Sequence, residues 1–80
     1  MITIRITRKD QPVDLEVRHT FERSRIGRLH EDIAHEIENN ARLRSEITNS
    51  LRTKRGDLID VYARNYVNDE WILIMDMKTC

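Results

Sequence analysis

The 80-residue sequence contains one cysteine, one proline and two glycines. Because Cys80 is the only cysteine, no disulfide can form within the chain, and a cytoplasmic location is expected. Two glycines are too few for the glycine-rich loops that hold phosphate groups, so no nucleotide cofactor is expected. The longest apolar run, residues 71–75, is far too short to span a bilayer, so no membrane association is expected either.

The sequence also lacks a charge surplus, since 14 basic residues balance 14 acidic ones. Domains that bind nucleic acids commonly have a basic surplus, so this balance argues against that class. The charges are nevertheless grouped: residues 29–41 carry four acidic and no basic side chains, and residues 42–55 carry five basic and one acidic. Opposite charges along one element could help subunits pair antiparallel, although a solvated mixed-charge surface is the simpler interpretation.

Residues 21–55 contain no proline, and apolar residues recur there mostly at three- and four-residue steps. This spacing predicts one long amphipathic helix whose buried stripe consists of Ile26, Leu29, Ile33, Ile37, Ala41, Ile47 and Leu51. Asn40 and Arg44 interrupt the stripe. Either the chain breaks near Asn39 and Asn40 into two helices, or a continuous helix places these polar side chains at an interface with a partner. We favour the continuous helix, ended by Gly56 in a left-handed conformation.

The length of this helix is the reason for that preference. A helix of about 35 residues is roughly 50 Å long, whereas a strand of about eight residues covers roughly 27 Å. The helix would therefore extend beyond any sheet that this chain can form, and a second copy would have to cover it. We expect a homodimer with contacts at Asn40, Arg44, Ile47 and Leu51.

Two β-hairpins are expected around the helix, in residues 1–20 and 57–79. In the first, alternating apolar residues and a turn at residues 10–12 predict the pairs Arg8–Val13, Ile6–Leu15, Ile4–Val17 and Ile2–His19. In the second, a three-residue loop at 68–70 predicts the pairs Val67–Trp71, Ala63–Met75, Val61–Met77 and Asp60–Lys78. The expected fold is a single α+β domain of order β-β-α-β-β, a four-stranded antiparallel sheet with one long helix on one face.

The sheet face turned away from the helix carries the most function-like residues. In the expected register, the second hairpin presents there a predicted partner-binding cluster of Tyr62, Arg64, Tyr66, Ile72 and Ile74. A contiguous exposed apolar patch usually marks a contact site, and Tyr and Arg are prominent among the residues that dominate protein interfaces. The same cluster could equally serve as the homodimer interface.

Catalytic and metal-binding patterns are weak. His30 and His35 enclose a glutamate much as in the helical zinc-protease motif, but one residue too many separates them. At 100° per residue, this spacing turns the two rings about 140° apart around the helix. The serines on the predicted helix lack the glycine-flanked turn of serine hydrolases. We therefore expect neither enzymatic activity, nor a metal site, nor a cofactor.

Two functional classes remain. The first is a protein-binding module that acts as an inhibitor or regulator of a partner; small motif-free domains of this composition also suit phage or mobile-element accessory proteins that bind a host or defence factor. The alternative is a nucleic-acid-binding regulator, whose tyrosines would stack on bases. Its phosphate contacts would come from Arg18, Arg23, Arg25, Arg28, Arg52, Lys54 and Arg55.

Overall fold

The computed structural model describes residues 2–9, 15–22, 28–65 and 68–79. Its elements are β1 (Ile2–Arg8), β2 (Val17–Phe21), α1 (Leu29–Asn39), α2 (Ala41–Leu51), β3 (Leu58–Asn65) and β4 (Glu70–Lys78). The strands form one antiparallel sheet in the order β2-β1-β3-β4. The expected α+β class and four-stranded antiparallel sheet are confirmed, but the single long helix is wrong, because two helices replace it. Within the described ranges, neither helix has the length and apolar character needed to cross a membrane.

The first hairpin pairs two residues away from the expected register. Ile4 lies opposite His19 and Ile6 opposite Val17. Three of the predicted pairs, Ile6–Leu15, Ile4–Val17 and Ile2–His19, are therefore wrong. Residue 13 and the expected turn at 10–12 lie outside the described residues. A two-residue shift leaves every side chain on its original face, so alternation alone cannot distinguish the two registers. The observed register places Phe21 opposite Ile2 and buries its ring, which favours this pairing.

The second hairpin contains a β-bulge that the sequence pattern did not predict. Val61 lies opposite Met75, whereas Tyr62 lies opposite Leu73, so Ile74 is an additional residue in β4. An additional residue reverses the faces of all residues between it and the turn. The expected pairs Val61–Met77 and Asp60–Lys78 are wrong because the register differs from the expected one by two residues, and Ala63–Met75 is wrong because the bulge adds a third. Val67 lies outside the described residues.

Asn40 separates the two helices. Its backbone is extended, with φ −97° and ψ 95°, and its side-chain oxygen accepts a hydrogen bond of 3.0 Å from the N–H of Leu43. This bond caps the first turn of α2, a role for which asparagine is well suited. Its side-chain amide donates to Glu36 Oε1 at 2.9 Å. Asn40, which was expected to make polar contacts with a second subunit, therefore makes such contacts within its own chain.

This break changes which residues of the helical segment are buried. The buried set is Ile33 and Ile37 in α1 and Leu43, Ile47 and Leu51 in α2. In a continuous helix, Leu43 would point well away from Ile37, because six residues correspond to 600° of rotation at 100° per residue. The extended backbone at Asn40 restarts the helical phase, so Leu43 is buried and Ala41, which was expected in the stripe, is exposed. Residue 26 of the expected stripe lies outside the described residues.

Helix α2 ends earlier than expected. Arg52 takes the left-handed conformation with φ 55°, and Gly56, the expected stop, has φ 89° in the loop that follows. This loop is fastened to the end of β4: the N–H of Gly56 donates to the carbonyl of Thr79, and the N–H of Thr79 donates to that of Asp57, each at 2.8 Å. Residues 52–57 therefore return the chain to the sheet and do not extend the helix.

Candidate functional site

Both helices pack on the same face of the sheet, where the buried strand residues are Ile4, Ile6, Val17, Phe21, Ile59, Val61 and Ala63. The other face is covered by none of the described helices or strands. We call it the open face and define it by Thr3, Arg5, Arg18, Thr20, Tyr62, Arg64, Trp71 and Leu73, which pair with one another across the strands. Directly opposite residues in an antiparallel sheet point to the same side, so this assignment follows from the register.

Arginine side chains stack on aromatic rings across the open face. The guanidinium carbon of Arg5 lies 5.5 Å from the centre of the Tyr62 ring, and that of Arg18 lies 5.3 Å from the centre of the Trp71 ring. Both distances are within the range of a cation–π interaction. Arg18 and Trp71 belong to β2 and β4, the two edges of the sheet, so their side chains reach toward each other above the central strands.

The cations of the open face are balanced by carboxylates. Glu16 forms ion pairs with two of them, lying 2.5 Å from Arg5 Nε and 3.1 Å from Arg18 Nε. Arg64 forms an ion pair with Asp69 in the turn before β4. These pairs hold the guanidinium planes in position and leave little uncompensated positive charge on this face.

The bulge in β4 decides which apolar residues belong to the open face. Tyr62 and Arg64 lie there as predicted, but Ile72 does not, because it lies opposite the buried Ala63. Ile74 packs partly against the core. Tyr66 lies outside the described residues. Sequence reasoning missed Trp71 and Leu73; the one signal for the former was its residue type, since tryptophan is strongly enriched among interface hot spots.

The residues predicted for dimerisation do not form a free surface. Ile47 and Leu51 are buried in the core of their own chain, with 3% and 2% exposure, and Asn40 caps α2. Among the four, Arg44 is exposed. The helix overhang that motivated a dimer is absent, because the chain folds back at Asn40 and packs both halves on one sheet.

The residues predicted to contact nucleic acid are not brought onto one surface. Arg18 lies on the open face, Arg28 precedes α1, and the cations at 52, 54 and 55 lie in the loop between α2 and β3. Arg28 is also close to Glu31, at 3.7 Å. Arg23 and Arg25 lie outside the described residues. The described members therefore belong to separate parts of the molecule.

The three histidines each contact a different partner. Nε2 of His30 lies 3.0 Å from the carbonyl oxygen of Ile74, at the bulge of β4. His35 contacts Asn39 on the outer side of α1. Nε2 of His19 lies 3.1 Å from Glu36 Oε1. Among the described residues, no group of histidine, cysteine and acidic side chains is arranged to hold a metal ion.

Glu36 joins three elements through its carboxylate. The Asn40 amide donates to it from the start of α2, and His19 contacts it from β2. The hydrogen bond from Asn40 lowers the pKa of Glu36 below its ordinary value of 4.5, and the hydrogen bond and charge of His19 act in the same direction against the effect of partial burial. The glutamate therefore functions here as a structural anion.

Comparison with known proteins finds no relative: no protein-family model matches the chain, and neither the curated proteins nor the solved structures contain a significant match.

Proposed function

We propose that this protein is a non-catalytic protein-binding module that acts as an inhibitor or regulator of its partner, and that the open face is its recognition surface. The observation that carries the proposal is the Arg5–Tyr62 and Arg18–Trp71 stacking on a sheet face that the chain's described elements leave uncovered. Arginine, tyrosine and tryptophan are the residue types most enriched in interface hot spots.

The apolar content of the open face supports contact with a protein. Leu73 is 53% exposed beside Tyr62, and Trp71 is partly exposed beside Arg64. Burial of apolar surface is the main favourable contribution in most protein–protein association. Guanidinium groups held in place by Glu16 and by ring stacking lose less side-chain freedom on binding, which lowers the entropic cost of association.

Nucleic-acid binding is the second candidate, and the same aromatic rings favour it, because bases can stack on an exposed aromatic ring. The balanced charge of the open face favours a protein over a nucleic acid as the partner. Each arginine that contributes to it already has a carboxylate partner, Glu16 or Asp69. A phosphate backbone requires uncompensated cations, so binding it would first require these pairs to break.

Affinity capture from an extract of the source organism tests the proposal. The bait is the wild-type chain, compared with the double variant Tyr62→Ala and Trp71→Ala and with the control Glu46→Ala, which alters an exposed residue of α2. We expect one partner to be retained by the wild-type chain and the control but lost by the double variant, with all three showing the same thermal unfolding. Equal retention of the partner by the double variant would place the recognition surface elsewhere.

Fluorescence anisotropy with duplex DNA, single-stranded DNA and RNA separates the two candidates. The protein-binding proposal expects no binding at micromolar protein, even at low salt. Micromolar or tighter binding that weakens steeply with added salt would instead assign the arginines to phosphate contacts.

A further inference from the structure

A cleft opens on the helix side of the molecule, where the junction of α1 and α2 meets the ends of β3 and β4. Its floor is aliphatic and consists of Ile37, Ile47, Ile59 and Met77. Its volume is about 100 Å³, and a cavity of roughly 150 Å³ can hold a benzene ring. The cleft therefore has room for one branched aliphatic side chain entering from outside.

Charged side chains surround the mouth of this cleft. Arg44 of α2 contributes a positive charge and Glu38 of α1 a negative charge, and Lys78 lines the cleft where β4 ends. A shallow polar depression continues from Arg44 along the outer side of α2, lined by Ser45, Thr48 and Asn49. The cleft thus combines an apolar floor with a polar, charged rim.

The cations of residues 42–55 have no carboxylate partner among the described residues. Residues 42–55 carry five basic side chains and one acidic, and none of these five forms an ion pair with a carboxylate of the described residues. The arginines of the open face differ, since Glu16 and Asp69 neutralise them. The basic residues without a carboxylate partner in the described part of the chain are therefore concentrated in residues 42–55, and Arg44 among them lines the cleft.

Two of these cations occupy positions that the helix itself disfavours. Arg42 and Arg44 lie in the first turn of α2, which contains no acidic residue. The positive end of the helix dipole repels cations, and acidic residues are the ones that stabilise a first turn. Departures from local preference of this kind are expected where a residue serves a function other than folding.

We propose that this cleft binds an acidic segment of a partner protein, with an aliphatic side chain inserted between the helices and the sheet and carboxylates placed beside Arg44. The surface is independent of the open face, so this proposal does not rest on the function proposed above. A protein segment can supply an aliphatic anchor together with neighbouring carboxylates, and this combination matches the floor and the rim.

The chemistry of the cleft argues against a nucleic acid as its occupant. No aromatic side chain of the described residues lines it, so bases would have no ring there on which to stack. A nucleic acid also offers no branched aliphatic group to fill the floor. Phosphates could contact the rim, but the apolar part of the site would remain empty.

The probes for the test are two short fluorescein-labelled peptides. One has two leucines among glutamates and aspartates, and the other has both leucines replaced by serine. We expect the leucine peptide to bind at least about tenfold more tightly than the serine peptide, a difference of roughly 1.4 kcal/mol. We also expect the leucine peptide to shift the methyl resonances of Ile37, Ile47 and Ile59. Absence of binding by the leucine peptide, or equal affinity for both peptides, would overturn the proposal.

Matched variants locate the site. Arg44→Glu reverses a charge at the rim, whereas Arg42→Glu reverses an equal charge on the same exposed turn outside the cleft. We expect Arg44→Glu to lower the affinity for the leucine peptide about tenfold or more. Arg42→Glu should lower this affinity much less, and Trp71→Ala should leave it unchanged. Equal losses in both arginine variants, or tighter binding of single-stranded RNA than of the leucine peptide, would show a diffuse basic surface and not a peptide-binding cleft.

Discussion

Asn40 and Glu36 show how single residues determine the arrangement of the helices. Asn40 caps α2 through Leu43, and its amide donates to Glu36 of α1. Glu36 also contacts His19 of β2, so one carboxylate links both helices to an edge of the sheet. A buried or half-buried network of this kind fixes orientation because each member has a specific geometric requirement.

Replacement of the cap is expected to destabilise the protein. Asn40→Ala removes both the bond to Leu43 and the bond to Glu36, and we expect a loss of about 1–2 kcal/mol in the free energy of unfolding. Urea unfolding followed by circular dichroism measures this loss. Asn39→Ala is the control, because among the described residues the side chain of Asn39 bonds to His35 of its own helix. Equal stability of the two variants would contradict the capping role.

The lowered pKa of Glu36 predicts a pH dependence. A carboxylate whose pKa is lower in the folded state contributes stability that is fully present above its ordinary value of 4.5 and is lost as the pH falls through the folded-state value. We therefore expect Glu36→Gln to be less stable than the wild type at neutral pH, with the difference shrinking on acidification below 4.5. Urea unfolding across this pH range measures it, and a difference independent of pH would argue against an ionised Glu36.

At the scale of elements, the bulge in β4 determines which side chains are available for binding. The run from Trp71 to Met75 has no polar residue to indicate which side chains face the core. Simple alternation therefore predicted that Ile72 and Ile74 lie on the open face. The additional residue at Ile74 places Trp71 and Leu73 there instead. The carbonyl of Ile74 meets His30 of α1, so the irregular part of the strand is tied to a helix.

A pair of substitutions tests this arrangement. Leu73 is 53% exposed, so Leu73→Ser should change the free energy of unfolding by no more than about 0.5 kcal/mol. Ile74 packs against the core, so Ile74→Ser should cost about 1–2 kcal/mol. Urea unfolding of the two variants gives the comparison. A larger loss for Leu73→Ser than for Ile74→Ser would mean that the strand pairs without the bulge.

At the scale of the whole molecule, the chain packs four residues of the predicted helical stripe, Ile33, Ile37, Ile47 and Leu51, into its own core. The break at Asn40 lets both helices lie over the sheet, and Ile47 and Leu51 complete the core with Leu43. A domain of this size has a small core, and its stability is expected to be near the lower end of about 5–15 kcal/mol. Single core residues therefore matter strongly.

Ile47→Asp is accordingly expected to unfold the chain. It places a carboxylate without a partner at a position with 3% exposure, and the combined loss of packing and desolvation exceeds about 4 kcal/mol. Circular dichroism and light scattering after size-exclusion chromatography measure structure and mass. Ser50→Asp, an exposed change on the same helix, should leave both unchanged. A folded monomeric Ile47→Asp variant, with a dimeric wild type, would instead support an intermolecular role for this residue.

The α+β class, the number of strands and the apolar faces of β1 and β2 follow from local patterns, because alternation and helical spacing repeat along the chain. It also contained the signal for the break, since an asparagine before an apolar-spaced segment is a common helix start. The equal numbers of basic and acidic residues are also evident from the sequence. On the open face, ion pairs neutralise arginine side chains locally.

The strand registers, the bulge and the phase of α2 depend instead on contacts made in the folded molecule. Registers that differ by two residues bury the same faces, so the choice depended on Phe21 finding a place in the core. The bulge depended on the fit of β4 against both β3 and α1, and the phase of α2 depended on Asn40 capping it. Some of these contacts join residues that are distant in the chain. Others select between local conformations of nearly equal energy, and sequence patterns within a short segment cannot predict which one forms.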